Sequence, residues 1–403
     1  MKPNCNIHLP ASKSESNRAL MIAAYGGFSA DFQNLSYAND ALALMEALGK
    51  IKRNESIIDI ADCGTAARFL TTFLACRKGN WILTGLERMK QRPIKPLVET
   101  LRSVGAKIQY AEKEGFLPLQ IEGNAILGGK VALDITQSSQ FASSLLLAAP
   151  IWLTGLELQL LGELNSLPYI DMTLSMMRHF GADAERNGRK IVVKPKPYQS
   201  RSSKVSSDWS AASYWYEMAA LSEECEIKLV GLSLPSLQGD AIIAEWMKLL
   251  GVSTYEENGA LVLRKSKAEN QSLFFDFSNN PDLFPTMAAT CTGLQLDAHF
   301  SGVANLRIKE SDRVEAMKTE LAKIGAELVS VSDNEVFLHS SNQLPFVEKS
   351  NPLQFASHND HRIVMALAPL SMKLGCLVFD HPKVVEKSYP DFWSDTTFLQ
   401  IIR

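Results

Sequence analysis

The chain has 403 residues, 46% hydrophobic and 21% charged, with 41 Lys+Arg against 44 Asp+Glu and a formal net charge of −3. That length is too great for one ordinary core and predicts two domains. The charge balance argues against a generally basic nucleic-acid surface or a ring-shaped clamp on one, no apolar run reaches the length of a membrane span, and six scattered cysteines without a C-x-x-C give neither a zinc spacing nor a disulfide framework.

The opening MKPNCNIHLP lacks the apolar core of a signal peptide, so a reducing, cytoplasmic location is expected. The next stretch, KSESNRALMIAAY from Lys13 to Tyr25, has capping residue types (Ser12, Ser14, Ser16, Asn17) followed by a small, apolar run. A helix start offers unpaired N–H groups and a partial positive charge. Lys13 and Arg18 add two full charges there, which makes an anion site suited to phosphate. An ordinary capped helix with two solvated cations is the other reading of the same stretch.

Further along, helices of the same small-residue kind begin at Gly64-Thr65, Ser138-Ser139-Gln140, Asp208, Asp282 and Asn359-Asp360-His361-Arg362. Most successive starts lie on the order of 70 residues apart, a plausible length for one repeat. Between them run helical patterns ended by Gly49, Gly105, Gly181, Gly251 and Gly325, with apolar residues one, four and eight positions earlier, Thr173 excepted. This is one helix face closed by a glycine. The last four are followed by hairpin signals at Glu114-Gly115, Asn187-Gly188, Asn258-Gly259 and Asp333-Asn334. The expected fold is α/β: two domains of three repeated β-α-β-α-β-β units each, over residues 12–206 and over 1–11 with 207–403. The crossing is expected near the serine-rich Gln199 to Ser207, which reads equally as a solvated loop within one domain.

Approaches to the glycine-ended helices carry charge at equivalent places, at Arg92, Asp240 and Lys309 through Arg313. If the units are arranged alike, Lys13, Arg18, Arg68, Arg92, Lys309, Arg313, Arg362 and Lys387 face one cleft between the domains. That predicts a basic pocket in an acidic chain, fit for a small, multiply anionic substrate. Each of these cations taken alone reads as a surface salt bridge. No Walker A or Rossmann pattern and no metal-ligand spacing among the seven histidines is present, so no nucleotide, cofactor or metal is expected.

Taken together, the motifs resemble the 5-enolpyruvylshikimate-3-phosphate synthase family. They are Lys13-Ser14 with Asn17-Arg18, Gly64-Thr65-Ala66-Ala67-Arg68, Arg92-Pro93, Ser138-Ser139-Gln140-Phe141, Pro168-Tyr169-Ile170-Asp171, Asp208, Pro281-Asp282, Lys309-Glu310 with Asp312-Arg313, Asn359-Asp360-His361-Arg362, and Lys387 with Pro390-Asp391. They run in family order over nearly the whole chain. The resemblance implies two inside-out α/β domains and transfer of the enolpyruvyl group of phosphoenolpyruvate to the 5-hydroxyl of shikimate 3-phosphate, with release of phosphate through a tetrahedral adduct. It implies that Ser14, Arg18, Ser138, Ser139, Gln140, Ser166, Tyr169, Asp282, Asn305 and Lys309 bind shikimate 3-phosphate. Phosphoenolpyruvate would be held by Lys13, Gly64, Arg92, Gln140, Arg313, Arg362 and Lys387. Asp282 and Glu310 would handle protons and Lys13 would stabilise the leaving phosphate. The plain readings are a helix cap for Asp282 and an ion pair with Lys309 or Arg313 for Glu310. The resemblance also implies a role as target of the inhibitor glyphosate; a monomer is the expected state, with neither nucleic acid nor membrane as partner.

The chain departs from the family's pattern at Asp62-Cys63 (often Asn-Ala or Asn-Ser), Phe69 (Pro or Leu), Glu15 (apolar) and Leu167 (Lys). The sister enzyme acting on a UDP-amino sugar usually has a cysteine shortly before the Arg-Pro pair. Here that loop reads GLERMKQRP, with none between Cys76 and Cys225. A non-catalytic anion binder on this scaffold would lack Asp282 or Glu310, and both are present.

Overall fold

The computed structural model describes residues 4–29, 31–269 and 272–402. Contacts divide the chain into two compact units, Ala11–Val205 and Met1–Pro10 with Ser206–Arg403. Each has its own apolar core.

Four four-stranded sheets share one strand order. In the Ala11–Val205 unit they are Ile57–Asp59, Gly79–Thr84, Leu119–Gly123, Lys107–Tyr110 and Gly129–Asp134, Leu156–Leu161, Lys190–Val193, Ala184–Asn187. In the other unit they are Asn4–His8, Glu226–Val230, Ala260–Lys265, Val252–Glu257 and Phe274–Asp276, Ala298–Ser301, Glu335–His339, Glu327–Ser332. In each, the first two strands are parallel and the rest antiparallel. A parallel pair needs a helical crossover and an antiparallel pair only a turn, so every sheet spells β-α-β-α-β-β.

The third repeat of each unit is abbreviated. Among the described residues, Phe32–Gln33 pairs only with Ser203–Lys204, Leu353–Phe355, Leu377–Phe379 and Ile401–Ile402 form an all-parallel sheet, and neither carries the closing hairpin.

The small-residue helices are the interior. Phe284–Gly293 and His361–Leu367 are buried at every position, and Trp209–Leu221, Gly64–Cys76 and Ser139–Ala148 nearly so. The sheets alternate buried and exposed residues, as along Leu119–Gly123, so one face packs inward and the other meets solvent.

Gly105, Gly181, Gly251 and Gly325 follow their helices with φ of +82° to +98°. Gly49 does not close a helix. Asn39–Lys52 runs through it with helical backbone and ends at Arg53, because apolar spacing alone cannot tell a closing glycine from an internal one. The Asn258-Gly259 turn has φ of 51° and 73°, the paired positive values of a two-residue type I′ hairpin. Glu114-Gly115 is no tight turn. It lies within a longer loop over 111–118, whose Gly115 carbonyl accepts from the Ile94 N–H at 2.9 Å.

Inner helices start just after the carboxyl ends of parallel strands, Gly64 after Asp59, Ser139 after Asp134 and His361 after Phe355. Ligand sites in α/β folds form at such ends.

Candidate active site

In the Ala11–Val205 unit, the Lys13–Gly26 helix is capped by Ser12, whose Oγ accepts from the Glu15 N–H at 3.3 Å. Lys13 Nζ lies 3.1 Å from Asp40 Oδ2, on the helix Asn39–Lys52. Arg18 is buried. Its guanidinium donates to Thr173 Oγ1 at 2.7 Å, the Ser14 carbonyl at 3.0 Å, the Tyr169 carbonyl at 3.1 Å and Ser143 Oγ at 3.4 Å. The rings of Phe69 and Tyr169 lie 5.7 and 6.0 Å away. Burial pushes the Arg18 guanidinium down to about 10, against the opposing pull of Tyr169 and Glu15. A buried cation whose hydrogen-bond acceptors are all neutral is an unfilled demand for an anion.

Gly64 opens its helix behind Cys63, whose Sγ accepts from the Ala66 N–H and donates to the Asp40 carbonyl, both at 3.4 Å. A Cβ on Gly64 would sit 2.6 Å from Arg92 Nη1 and 2.9 Å from Arg68 Nη1. Two guanidiniums thus crowd one helix start, and Arg68 also donates to the Gly64 carbonyl at 3.0 Å. Asp62 is exposed whereas Cys63 is buried, so the departure from the family's pattern that faces inward is a thiol. Ser138 caps the Ser139–Ala148 helix through the Gln140 N–H, and Gln140 Nε2 reaches Thr65 Oγ1 at 3.2 Å. Ser166 precedes Leu167–His179 with φ of 58°, and its carbonyl accepts from the Tyr169 N–H at 3.2 Å.

In the other unit, Asp282 lies in the turn Pro281–Leu283, and the N-cap positions of that turn and of the following Phe284–Gly293 helix are Asn280 and Leu283. It is gripped by Arg313 Nη1 at 2.8 Å and Arg362 Nη2 at 2.6 Å. Arg313 also meets Glu310 at 3.0 Å and Asp360 at 2.8 Å. Asp360 in turn caps His361–Leu367 through the Arg362 N–H and accepts from Ser311 Oγ. The result is a chain of alternating charge: Arg362, Asp282, Arg313, then Glu310 and Asp360. Burial opposes the charge on Asp282, but Arg362, Arg313 and Lys309 outweigh it and hold the carboxyl well below the usual range. Burial likewise opposes the Arg313 charge, but Asp360, Glu310 and Asp282 keep it above the ordinary arginine value.

Around this chain, Asn305 and Lys309 lie on and just after the Ala304–Ile308 turn, which packs on Arg313–Ala322. Lys387 ends the Pro382–Lys387 turn, packed on His361–Leu367. Asn305 makes no hydrogen bond to the cluster among the described residues. No group of three or more His, Cys, Asp or Glu among them is arranged to hold a metal ion, and no helix among them is long and apolar enough to cross a membrane.

Behind these stand Asp40, Ser143, Thr173 and Asp360. From the sequence alone, Asp40 and Ser143 are passed over, Thr173 is met only as the exception to an apolar spacing, and Asp360 is included in a helix-start motif without being given a role.

The family model for EPSP synthase (3-phosphoshikimate 1-carboxyvinyltransferase) matches residues 48–396. A 3-phosphoshikimate 1-carboxyvinyltransferase from Bacteroides fragilis is 43% identical over 391 residues, 96% of this chain and 93% of that one. One from Histophilus somni is 35% identical over 420 residues, 96% and 95% of the two chains. The solved EPSP synthase from Acinetobacter baumannii superposes with a TM-score of 0.76 at 21% identity, covering 99% of this chain and 96% of that one, a likeness of fold.

Proposed function

The chain belongs to the EPSP synthase family, and from that premise we propose how its residues divide the work. The reaction transfers the enolpyruvyl group of phosphoenolpyruvate to the 5-hydroxyl of shikimate 3-phosphate and releases phosphate. The hydroxyl oxygen attacks C2 of phosphoenolpyruvate and loses its proton while C3 gains one. The tetrahedral adduct then expels phosphate as C3 gives a proton back. The task needs a hydroxyl base, an acid/base at C3 and cations for carboxylate and phosphate.

Asp282 is the hydroxyl base and Glu310 the C3 acid/base. The observation that carries this is their shared partner: Arg313 bonds both, at 2.8 and 3.0 Å. Two carboxylates held by one buried guanidinium are oriented together. An arginine-bound Asp282 is a weak base, however. A substrate carboxylate or phosphate arriving on Arg313 and Arg362 takes over those hydrogen bonds and returns basicity to Asp282, so catalysis waits for substrate. Lys387, on the same unit, joins those arginines in holding phosphoenolpyruvate, and Asn305 and Lys309 bind shikimate 3-phosphate. On the Ala11–Val205 unit, Lys13, Gly64, Arg92 and Gln140 take phosphoenolpyruvate, with Lys13 neutralising the departing phosphate and glyphosate competing at the same helix start. Ser14, Arg18, Ser138, Ser139, Gln140, Ser166 and Tyr169 take shikimate 3-phosphate.

Removing an acid/base group costs about 10²–10⁴-fold in rate. Asp282→Asn and Glu310→Gln should each lose turnover on that scale in single-turnover assays, with substrate affinities by calorimetry changing far less. Near-normal turnover in either variant removes that residue from the chemistry. The proposal includes a monomeric state, which sedimentation checks, and a cytoplasmic location. Six unbridged cysteines agree with a reducing compartment.

A further inference from the structure

Behind Asp282 lies a second carboxyl that the reaction as described does not use. Asp240, in the turn Gly239–Ile242, is buried. Its Oδ2 accepts from Ser210 Oγ at 2.5 Å and its Oδ1 from Asn280 Nδ2 at 3.3 Å. Ser210 belongs to the first turn of the Trp209–Leu221 helix, and Asn280 is the residue before Pro281-Asp282. The neighbouring Gln238 bonds the same helix start, accepting from the Trp209 N–H at 2.9 Å and donating to the Ser207 carbonyl at 2.8 Å.

We infer that Asp240 is a positioning residue for Asp282: it ties the turn carrying Asp282 to the start of the Trp209–Leu221 helix, and its negative charge strengthens Asp282 as a base. The inference rests on the reading of Asp282 as the hydroxyl base.

The physical case has two parts. The hydrogen bonds fix Asn280, and the proline between Asn280 and Asp282 leaves little backbone freedom to lose that placement. The charge acts through space. Both hydrogen-bond partners of Asp240 among the described residues are neutral, and none of those residues makes a direct ion pair with it. Of the charged groups that face it, Asp282 on the adjoining turn repels it and Arg362 on His361–Leu367 attracts it. Around Asp282 stand Arg362, Arg313 and Lys309, and Tyr214, on the Trp209–Leu221 helix, senses Arg362, Arg313 and Asp282. Burial first, then the Asp282 charge, push the Asp240 carboxyl up to about 6, with the Ser210 bond, Arg362 and the Asn280 bond pulling the other way. An ionised Asp240 raises the proton affinity of Asp282 and a protonated one does not, so turnover should weaken as pH falls through the Asp240 titration.

The test is kcat against pH, at saturating substrates, for the unmodified enzyme, Asp240→Asn and Ser210→Ala. Substrate phosphates also titrate near 6, so the differences between the proteins are the readout. Asp240→Asn should lose about tenfold in kcat at pH 8, with KM for both substrates within about twofold, and should lack the part of the acid limb that Asp240 supplies. Ser210→Ala removes a bond that favours the charged form, so its limb should move to higher pH by roughly half a unit or more. A merely structural role would lower kcat at every pH and move no limb. In the free enzyme, a protonated-carboxyl infrared band should titrate near 6 and be missing in Asp240→Asn; if that variant does not fold, the Ser210→Ala limb shift decides.

Acid limbs that coincide in all three proteins overturn the inference. If they coincide while Asp282→Asn is inactive, Asp240 alone is struck out. If Asp282→Asn turns over normally, the base assignment itself fails, whatever Asp240 does.

Discussion

Arg18 in one unit and Arg313 in the other are both almost completely buried, and the two are treated in opposite ways. Among the described residues Arg18 is bonded to two carbonyls and two hydroxyls and to no carboxylate. Arg313 is bonded to three carboxylates. Desolvation costs both, and only Arg313 has the cost offset within the protein. A cation neutralised on the spot can orient acids but has little attraction left for an incoming anion until one of them lets go. A cation met only by neutral dipoles keeps its field. Under the proposed function, the Arg18 unit would bind an anion outright and the Arg313 unit would exchange partners, which is what acid/base groups need.

The same substitution should separate them. Arg313→Met leaves Asp282, Glu310 and the wholly buried Asp360 short of their shared partner. Breaking a buried ion pair by removing one side costs about 3–5 kcal/mol, and this variant should lose stability on that scale, read from its denaturant midpoint. Acid should act on the same cluster. The Asp282 carboxyl is held below its unfolded value of about 4. Its contribution is therefore complete above that pH and lost as pH falls further.

Arg18→Met should do the reverse. It removes a charge that folding had to desolvate, and the oxygens it leaves have other bonds: Thr173 Oγ1 lies 2.7 Å from the Tyr169 carbonyl and 3.1 Å from Ser143 Oγ. The melting temperature should hold or rise. Shikimate 3-phosphate affinity should fall about 100-fold, the scale of losing one member of a buried charged contact. A variant that loses stability as much as Arg313→Met would mean that Arg18 is scaffold, and the contrast between the units would collapse.

A smaller effect comes from the other cations of the Arg18 unit. Gly64→Ala puts a methyl 2.6 Å from Arg92 Nη1. The guanidinium is the far end of a flexible side chain, so it gives way and the fold survives. Overpacking of this kind costs about 1–3 kcal/mol, and here it should fall on the ligand, weakening phosphoenolpyruvate on the order of tenfold by calorimetry, glyphosate by more. Unchanged affinities for both would place the ligand away from this helix start.

What the sequence made legible was whatever is local. Closing glycines, capping residues and hairpin turns are decided within a few residues, which is why Gly105, Gly181, Gly251 and Gly325 read correctly and the cap Asp208 can be seen, its Oδ1 accepting from the Ala211 N–H at 2.9 Å. Asp282 occupies the matching place in its repeat and looks the same in sequence, yet it turns to Arg313 and Arg362 instead. Its partners lie far along the chain, and no local pattern announces them. The same holds for Arg18 with Thr173 and for Asp240 with Asn280. Gly49 marks the limit of the local signal itself, since the apolar spacing before it is that of the four true ends. The abbreviated repeats were hidden too, because strands as short as Phe32–Gln33 and Ser203–Lys204 are too brief to show an alternation.

The finest test of the contrast is Thr173→Val. The side chains are nearly the same shape and both β-branched, so the helix and the packing against it are kept, and what goes is one oxygen. That oxygen receives the shortest bond of the Arg18 guanidinium, from Nε at 2.7 Å. If neutral dipoles are what hold this uncompensated charge in place for an anion, losing one should cost about the net value of a hydrogen bond to a charged group, about 1.5–3 kcal/mol, and the loss should fall on folding. The bound anion stabilises the guanidinium in the oxygen's stead, so the ligand-free protein suffers more than the complex. Thr173→Val should therefore lower the melting temperature of the free protein and narrow the deficit when shikimate 3-phosphate is added, with affinity, by the thermodynamic cycle, unchanged or somewhat tighter. A deficit that stays the same with and without the ligand would show that the anion does not reach Arg18, and that the neutral cage around it is ordinary packing.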